Sequence, residues 1–114
     1  MNNFAHEWLN AWNSHDLDAI MGHYAEEVIF YSPFIQKINN DPSGRIQGKE
    51  GLRAYFGKAL QVYTDLHFEL YHVLEGLGSV VLYYKSVGNR LSAEMMVLNE
   101  EGKVVEVRAH YKQM

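Results

Sequence analysis

Apolar residues recur at helical spacing from the start of the chain: Phe4, Trp8 and Trp12 lie four apart, with Ala5 and Leu9 beside them. That period lays a strongly aromatic stripe along one helix, which needs a concave partner to cover it. The pattern breaks at Asn13-Ser14-His15-Asp16, a polar corner. Asp16 is placed to accept hydrogen bonds from the open amides of a second helix carrying Leu17, Ile20, Met21 and Tyr24 inward. Val28-Ile29-Phe30-Tyr31 then reads as a strand, ended by Ser32-Pro33 because proline has no amide to give a sheet ladder. Turn formers crowd the segment from Gln36 to Gly48, above all Asn39-Asn40-Asp41-Pro42-Ser43-Gly44, which predicts a long loop. From Lys49 to about Tyr63 the helical period returns through Leu52, Tyr55, Phe56, Ala59, Leu60 and Tyr63.

The remaining pattern has the period of strands. Leu66 to Glu75, Ser79 to Val87, Leu91 to Asn99 and Val104 to Lys112 are separated by Gly-, Asn- or Glu-rich turns. In the last of them Val105, Val107, Ala109 and Tyr111 alternate with Glu106, Arg108, His110 and Lys112, so its odd-numbered face points inward. Together these elements predict an α+β fold of about three N-terminal helices packed on one face of a strongly curved, mostly antiparallel sheet, an arrangement that can close into a cone. No repeat or linker divides the 114 residues, so one domain over 1–114 is expected, large enough to bury roughly two-thirds of its unfolded surface.

Composition narrows the chemistry. The chain has no cysteine, which excludes disulfides, thiolate nucleophiles and thiolate metal sites. No basic start leads into an apolar run, and no apolar run approaches the ~20 residues that cross a bilayer, so a soluble, cytoplasmic protein without membrane contact is expected. A net charge of −4 offers no basic face for a phosphate backbone, and nucleic acid is not an expected partner. Eight Tyr, five Phe and two Trp exceed what a core of this size usually demands. They fit either a tyrosine-rich core or a lined cavity.

The polar candidates are few. His67 and His72 are five apart on one strand and so point to opposite faces, and no H-E-x-x-H occurs, so neither a metal nor a cofactor is expected. His72 shares a face with Leu66, Phe68, Leu70 and Leu74, as a core histidine or a hydrogen-bond donor in a site. Gly44-Arg45-Ile46-Gln47-Gly48-Lys49-Glu50 is one residue short of a phosphate loop and has Glu50 where a hydroxyl belongs. No serine sits in G-x-S-x-G. Glu94 is open to two readings: with Met96 and Leu98 it faces a cavity, or Ala93, Met95 and Val97 face in and it is solvated. Met95 and Met96 satisfy either one.

Four segments carry a family resemblance: Trp12-Asn13-Ser14-His15-Asp16-Leu17-Asp18, Tyr24 to Phe30 with Ser32-Pro33 after it, Gly48-Lys49-Glu50-Gly51-Leu52, and Gly102 to Ala109. Together they resemble the nuclear transport factor 2-like superfamily, in its SnoaL-like polyketide cyclase and ketosteroid isomerase branch. The resemblance implies a conical α+β barrel, an apolar pocket and a homodimer. It places Ser32 where ketosteroid isomerases keep a general-base aspartate, Trp8 where they keep a tyrosine, and Glu94 where they keep a buried acid. Steroid isomerisation by that mechanism is therefore not expected.

The expected activity is binding of a small hydrophobic ring-type molecule, with isomerase, cyclase or lyase chemistry carried by Glu94 as acid-base and Tyr111 or His72 as donor. The alternative is a non-catalytic binder, or a dimeric scaffold with a vestigial pocket. Trp8, Trp12, Phe30, Ser32, Phe34, Tyr55, Phe56, Tyr84 and Met96 are the expected ligand contacts, around an enclosed pocket of at least the ~300 Å³ usual for small ligands. The dimer is expected through an outer sheet face bearing Tyr71, Val81, Tyr83 and Met95.

Overall fold

The computed structural model describes residues 3–112. The aromatic stripe forms α1 (Phe4–Asn13), which buries Phe4, Ala5, Trp8, Ala11 and Trp12. Asp16 caps α2 (Leu17–Met21) by accepting from the Ala19 amide at 3.2 Å, in agreement with the sequence pattern. The helix stops earlier than expected, however, with Gly22 as its C-cap, and Tyr24 opens β1 (Tyr24–Tyr31). The exposed Glu26 and Glu27 inside β1 hide that early start, because the pairing of β1 with the last strand is irregular between Tyr24 and Ile29.

The expected loop contains two elements. Ser32 accepts from the Phe34 amide at 3.2 Å and Pro33 takes the first position of α3 (Pro33–Ile38), where a missing amide costs nothing. Arg45–Gln47 form β2, antiparallel to β1. Gly48, at a φ of 96°, turns the chain into α4 (Lys49–Val62), a conformation a side chain would strain. Leu52 and Phe56 are the buried residues of α4.

The second half forms β3 (Glu69–Gly76), β4 (Ser79–Lys85), a single 3-10 turn at Val87–Asn89, β5 (Leu91–Leu98) and β6 (Val104–Lys112). The strand order is β2-β1-β6-β5-β4-β3, with β1 and β6 parallel and every other pair antiparallel. The sheet is therefore mixed, has six strands among the described residues, and is open rather than closed into a barrel. In β6 the inward residues are Val104, Val107 and Ala109, while Val105 is only half-buried. The irregular pairing between Val97 and Leu98 shifts the alternation there by one.

The helices cover one face of the sheet, and the corner after α1 ties the two layers together. The Asn13 side chain donates to the Phe68 carbonyl at 3.0 Å and accepts from the Phe68 amide at 2.7 Å. His15, at a φ of 58°, donates from Nε2 to the Leu66 carbonyl at 2.8 Å. These bonds hold the segment before β3 against α1, so that Phe68 stacks on Trp8 with ring centroids 5.7 Å apart. No helix of the described residues is long and apolar enough to cross a membrane.

Candidate functional site

The inward face of β5 carries Ser92, Glu94 and Met96, all buried. The register that left Glu94 ambiguous is settled by pairing, since Glu94 stands opposite Leu82 on β4 and Ala109 on β6, both core residues. Glu94 is 5% exposed and accepts a hydrogen bond at 2.5 Å from the hydroxyl of Tyr84, two residues along β4. That bond ends on Oε1. Among the described residues Oε2 has no hydrogen bond, and Glu94 lines a cavity between the sheet, α1 and α4.

Aromatic rings build the walls. Trp8 and Trp12 come from α1, Tyr24 and Phe30 from β1, Tyr55 and Phe56 from α4, and Phe68, Tyr84 and Tyr111 from the sheet side. Trp8 meets Tyr84 edge-on at 5.2 Å, and Trp12 meets Phe56 edge-on at 4.8 Å. Trp8 also donates from Nε1 to the Tyr24 hydroxyl at 3.1 Å. Phe34 packs on Tyr111 at 4.5 Å and carries the Arg90 guanidinium over its ring at 4.8 Å.

The electrostatics follow from burial without a cation. No Lys, Arg or His of the described residues lines the cavity. Desolvation pushes the Glu94 carboxyl up to about 7, and the bond from Tyr84 only partly opposes that rise. Burial and then the charge of Glu94 raise Tyr24, Tyr84 and Tyr111 above the ordinary phenol range. Tyr55, partly buried, is pushed up to about 12, mainly by burial. Near neutral pH the site thus holds one carboxyl poised between its two protonation states, ringed by phenols that keep their protons.

Most of the expected contacts meet here. Trp8, Trp12, Phe30, Phe34, Tyr55, Phe56, Tyr84, Glu94 and Tyr111 all line the cavity. Three expected residues do not. His72 is exposed and stacks on Tyr83 outside the sheet, because an irregularity between Leu70 and His72 turns the rest of β3 over. Met96 is fully buried in the core. Ser32 is buried and caps α3 instead, accepting from the Phe34 amide. Tyr24 and Phe68 were missed as wall residues: Tyr24 read as helical, and only the Asn13 clamp, which has no sequence signal, brings Phe68 inward.

The cavity is also smaller than expected, about 80 Å³. Large rings project into the space between the layers and fill most of it. A neighbouring cleft of about 160 Å³ shares Ile38, Tyr55, Ala59 and Tyr63 with it. Among the described residues no group of three His, Cys, Asp or Glu side chains comes together that could hold a metal ion.

Comparison with known proteins agrees with this geometry. A family profile described as the SnoaL-like domain matches residues 5–112. A SnoaL-like protein of unknown function from Burkholderia thailandensis E264 is 43% identical, with a TM-score of 0.95 over 98% of this chain and 93% of that one. IdmH from Streptomyces antibioticus, a candidate polyketide cyclase, is 14% identical with a TM-score of 0.80, over 97% of this chain and 91% of that one. A candidate ketosteroid isomerase from Kribbella flavida DSM 17836 is 17% identical with a TM-score of 0.74, over 96% of this chain and 76% of that one. At those identities the last two show the shared fold alone. No curated protein matches. By the profile match and the 43% identical relative, the chain belongs to the SnoaL-like domain family.

Proposed function

We propose that this protein binds a small, largely apolar ring-type molecule in the aromatic cavity and moves a proton on it with Glu94, without a cofactor. The observation that carries this reading is the setting of the carboxyl: Glu94 lines the cavity, its Oε1 is held by Tyr84, and no cationic side chain lines the cavity with it. A carboxyl raised to about 7 is matched to proton transfer near neutral pH in either direction. Tyr111 lines the same cavity and supplies a hydroxyl. At about 80 Å³ the cavity is below the ~150 Å³ that holds a benzene ring in an engineered core. A ring therefore fits only when lining side chains move outward.

Cyclohexanone in D₂O tests the reading, since a positioned carboxylate removes a proton from the carbon beside the carbonyl and deuterium returns in its place. The expected result is exchange above the buffer rate, rising with pH through about 7 as Glu94 ionises and lost in Glu94→Gln. Exchange equal to buffer, or unchanged in Glu94→Gln, would overturn it in favour of a non-catalytic binder.

We further propose that the chain forms a homodimer through the outer face of the sheet. Beyond the Leu70 irregularity β3 is exposed throughout, with Tyr71 at 40%, Leu74 at 59% and Leu77 in the following turn at 103%. Such an apolar edge strand is a liability unless covered. Light scattering should give twice the mass of the chain, and Leu74→Asp should return a folded monomer; a monomer mass for the unaltered protein would contradict the dimer.

A further inference from the structure

Polarity changes sharply across one wall of the aromatic cavity. Phe34 and Tyr111, both half-buried and packed at 4.5 Å, line that cavity and also a cleft of about 440 Å³ beside it. Lys37 and Arg90 line the cleft, and no acidic side chain of the described residues does. The Arg90 guanidinium is set over the Phe34 ring, 4.8 Å from its centroid. The Arg90 backbone, at φ −77° and ψ 139°, is already extended where β5 begins, so Arg90 shares a strand face with Ser92 and Glu94. Four residues at about 3.3 Å each put the Cα atoms of Arg90 and Glu94 about 13 Å apart. Lys85 and Lys112 flank Leu91 across β4 and β6 at the same end of the sheet, Lys85 in an ion pair with Glu69 at 3.4 Å. The chain as a whole has a net charge of −4, so this grouping of cations is a local feature and not a consequence of composition.

We propose that the ligand is a carboxylate whose ring occupies the aromatic cavity and whose acid group lies in the cleft, held by Arg90 and Lys37. The inference rests on the cavity being the ligand site, as proposed above, but not on proton transfer by Glu94. Charge sets the orientation. Inside the cavity a carboxylate would meet Glu94 and no cation among the described residues, a costly burial. In the cleft it meets a guanidinium, which can grip both carboxylate oxygens with parallel N–H donors, and an ammonium that adds a second positive charge. An acid fixed there directs the ring toward Glu94. A short carbon arm between ring and acid, passing beside Phe34 and Tyr111, fits the separation along β5.

The test compares 3-(4-oxocyclohexyl)propanoate with its methyl ester, which keeps the ring and the arm and loses the charge. At pH 7.5 and low salt, calorimetry should find the acid bound about tenfold more tightly than the ester, with the ester displacing it from one site. Arg90→Gln should reduce that ratio to about twofold or less, and Lys37→Gln, at an exposed position, should reduce it about twofold. The ester should change by less than about twofold in both variants. Equal binding of acid and ester, a ratio unchanged in both variants, acid that the ester does not displace, or binding of neither would overturn the proposal. The ratio and the displacement are measured on the unaltered protein, so they decide the matter even where Arg90→Gln fails to fold. Deuterium exchange on the ester's ring, lost in Glu94→Gln, with no preference for the acid overturns this inference alone; preference for the acid without exchange overturns proton transfer alone.

Discussion

Glu94→Gln is expected to be more stable than the unaltered protein at pH 8 by about 3 kcal/mol and equal to it near pH 4. The sign follows from the direction of the shift. Glu94 has its carboxyl raised from 4.5 to about 7 in the folded chain, so the folded state holds this proton where the unfolded state has released it. The stabilising contribution is fully present below about 4.5 and is lost as pH rises through about 7. Above that the native state retains an ionised, buried carboxylate. Glutamine keeps the oxygen that accepts from Tyr84 and never ionises, so it behaves as the protonated form at every pH. Urea unfolding of both proteins between pH 4 and pH 8 measures the difference. A gap that does not widen with pH would show that the carboxyl is not desolvated.

Trp8→Ala is expected to cost about 3–5 kcal/mol, at the upper end of large-to-small core substitutions. Trp8 is 1% exposed, stacks on Phe68, meets Tyr84 edge-on and contacts Trp12, so its removal empties the meeting point of helix and sheet. It also takes away the donor that satisfies the Tyr24 hydroxyl. Trp8→Phe separates the two effects, because it restores most of the ring but not the N–H, and should cost about 1–3 kcal/mol. A Trp8→Ala loss below that of Trp8→Phe would mean that the rings do not pack as described.

The elements best announced by the sequence are those whose period is uninterrupted. The stripe of Phe4, Trp8 and Trp12 became α1, Asp16 capped α2, and the helical run from Lys49 became α4. The elements poorly announced are those that rest on a local irregularity or on contacts far along the chain. α3 is six residues long and begins at a serine and a proline that read equally well as the end of a strand, and β2 is three residues long, too short to show a period. The parallel pairing of β1 with β6 joins the two halves of the chain and leaves no local mark.

The site shows the same division. Its aromatic walls were legible because large rings on inward faces of helices and strands had to converge wherever those faces met. The misplacement of His72 came from strict alternation along β3, which the irregularity after Leu70 reverses. Glu94 could not be oriented from its own strand, where Met95 and Met96 fit both registers. Only its pairing between Leu82 and Ala109 decides the matter.

Glu94 is a buried carboxyl lining an apolar cavity and poised near neutrality. Carbon-detected NMR titration of its side-chain carboxyl, with Glu94→Gln to assign the resonance, tests this most directly. The expected midpoint is about 7. A midpoint in the ordinary range, near 4.5, would contradict it.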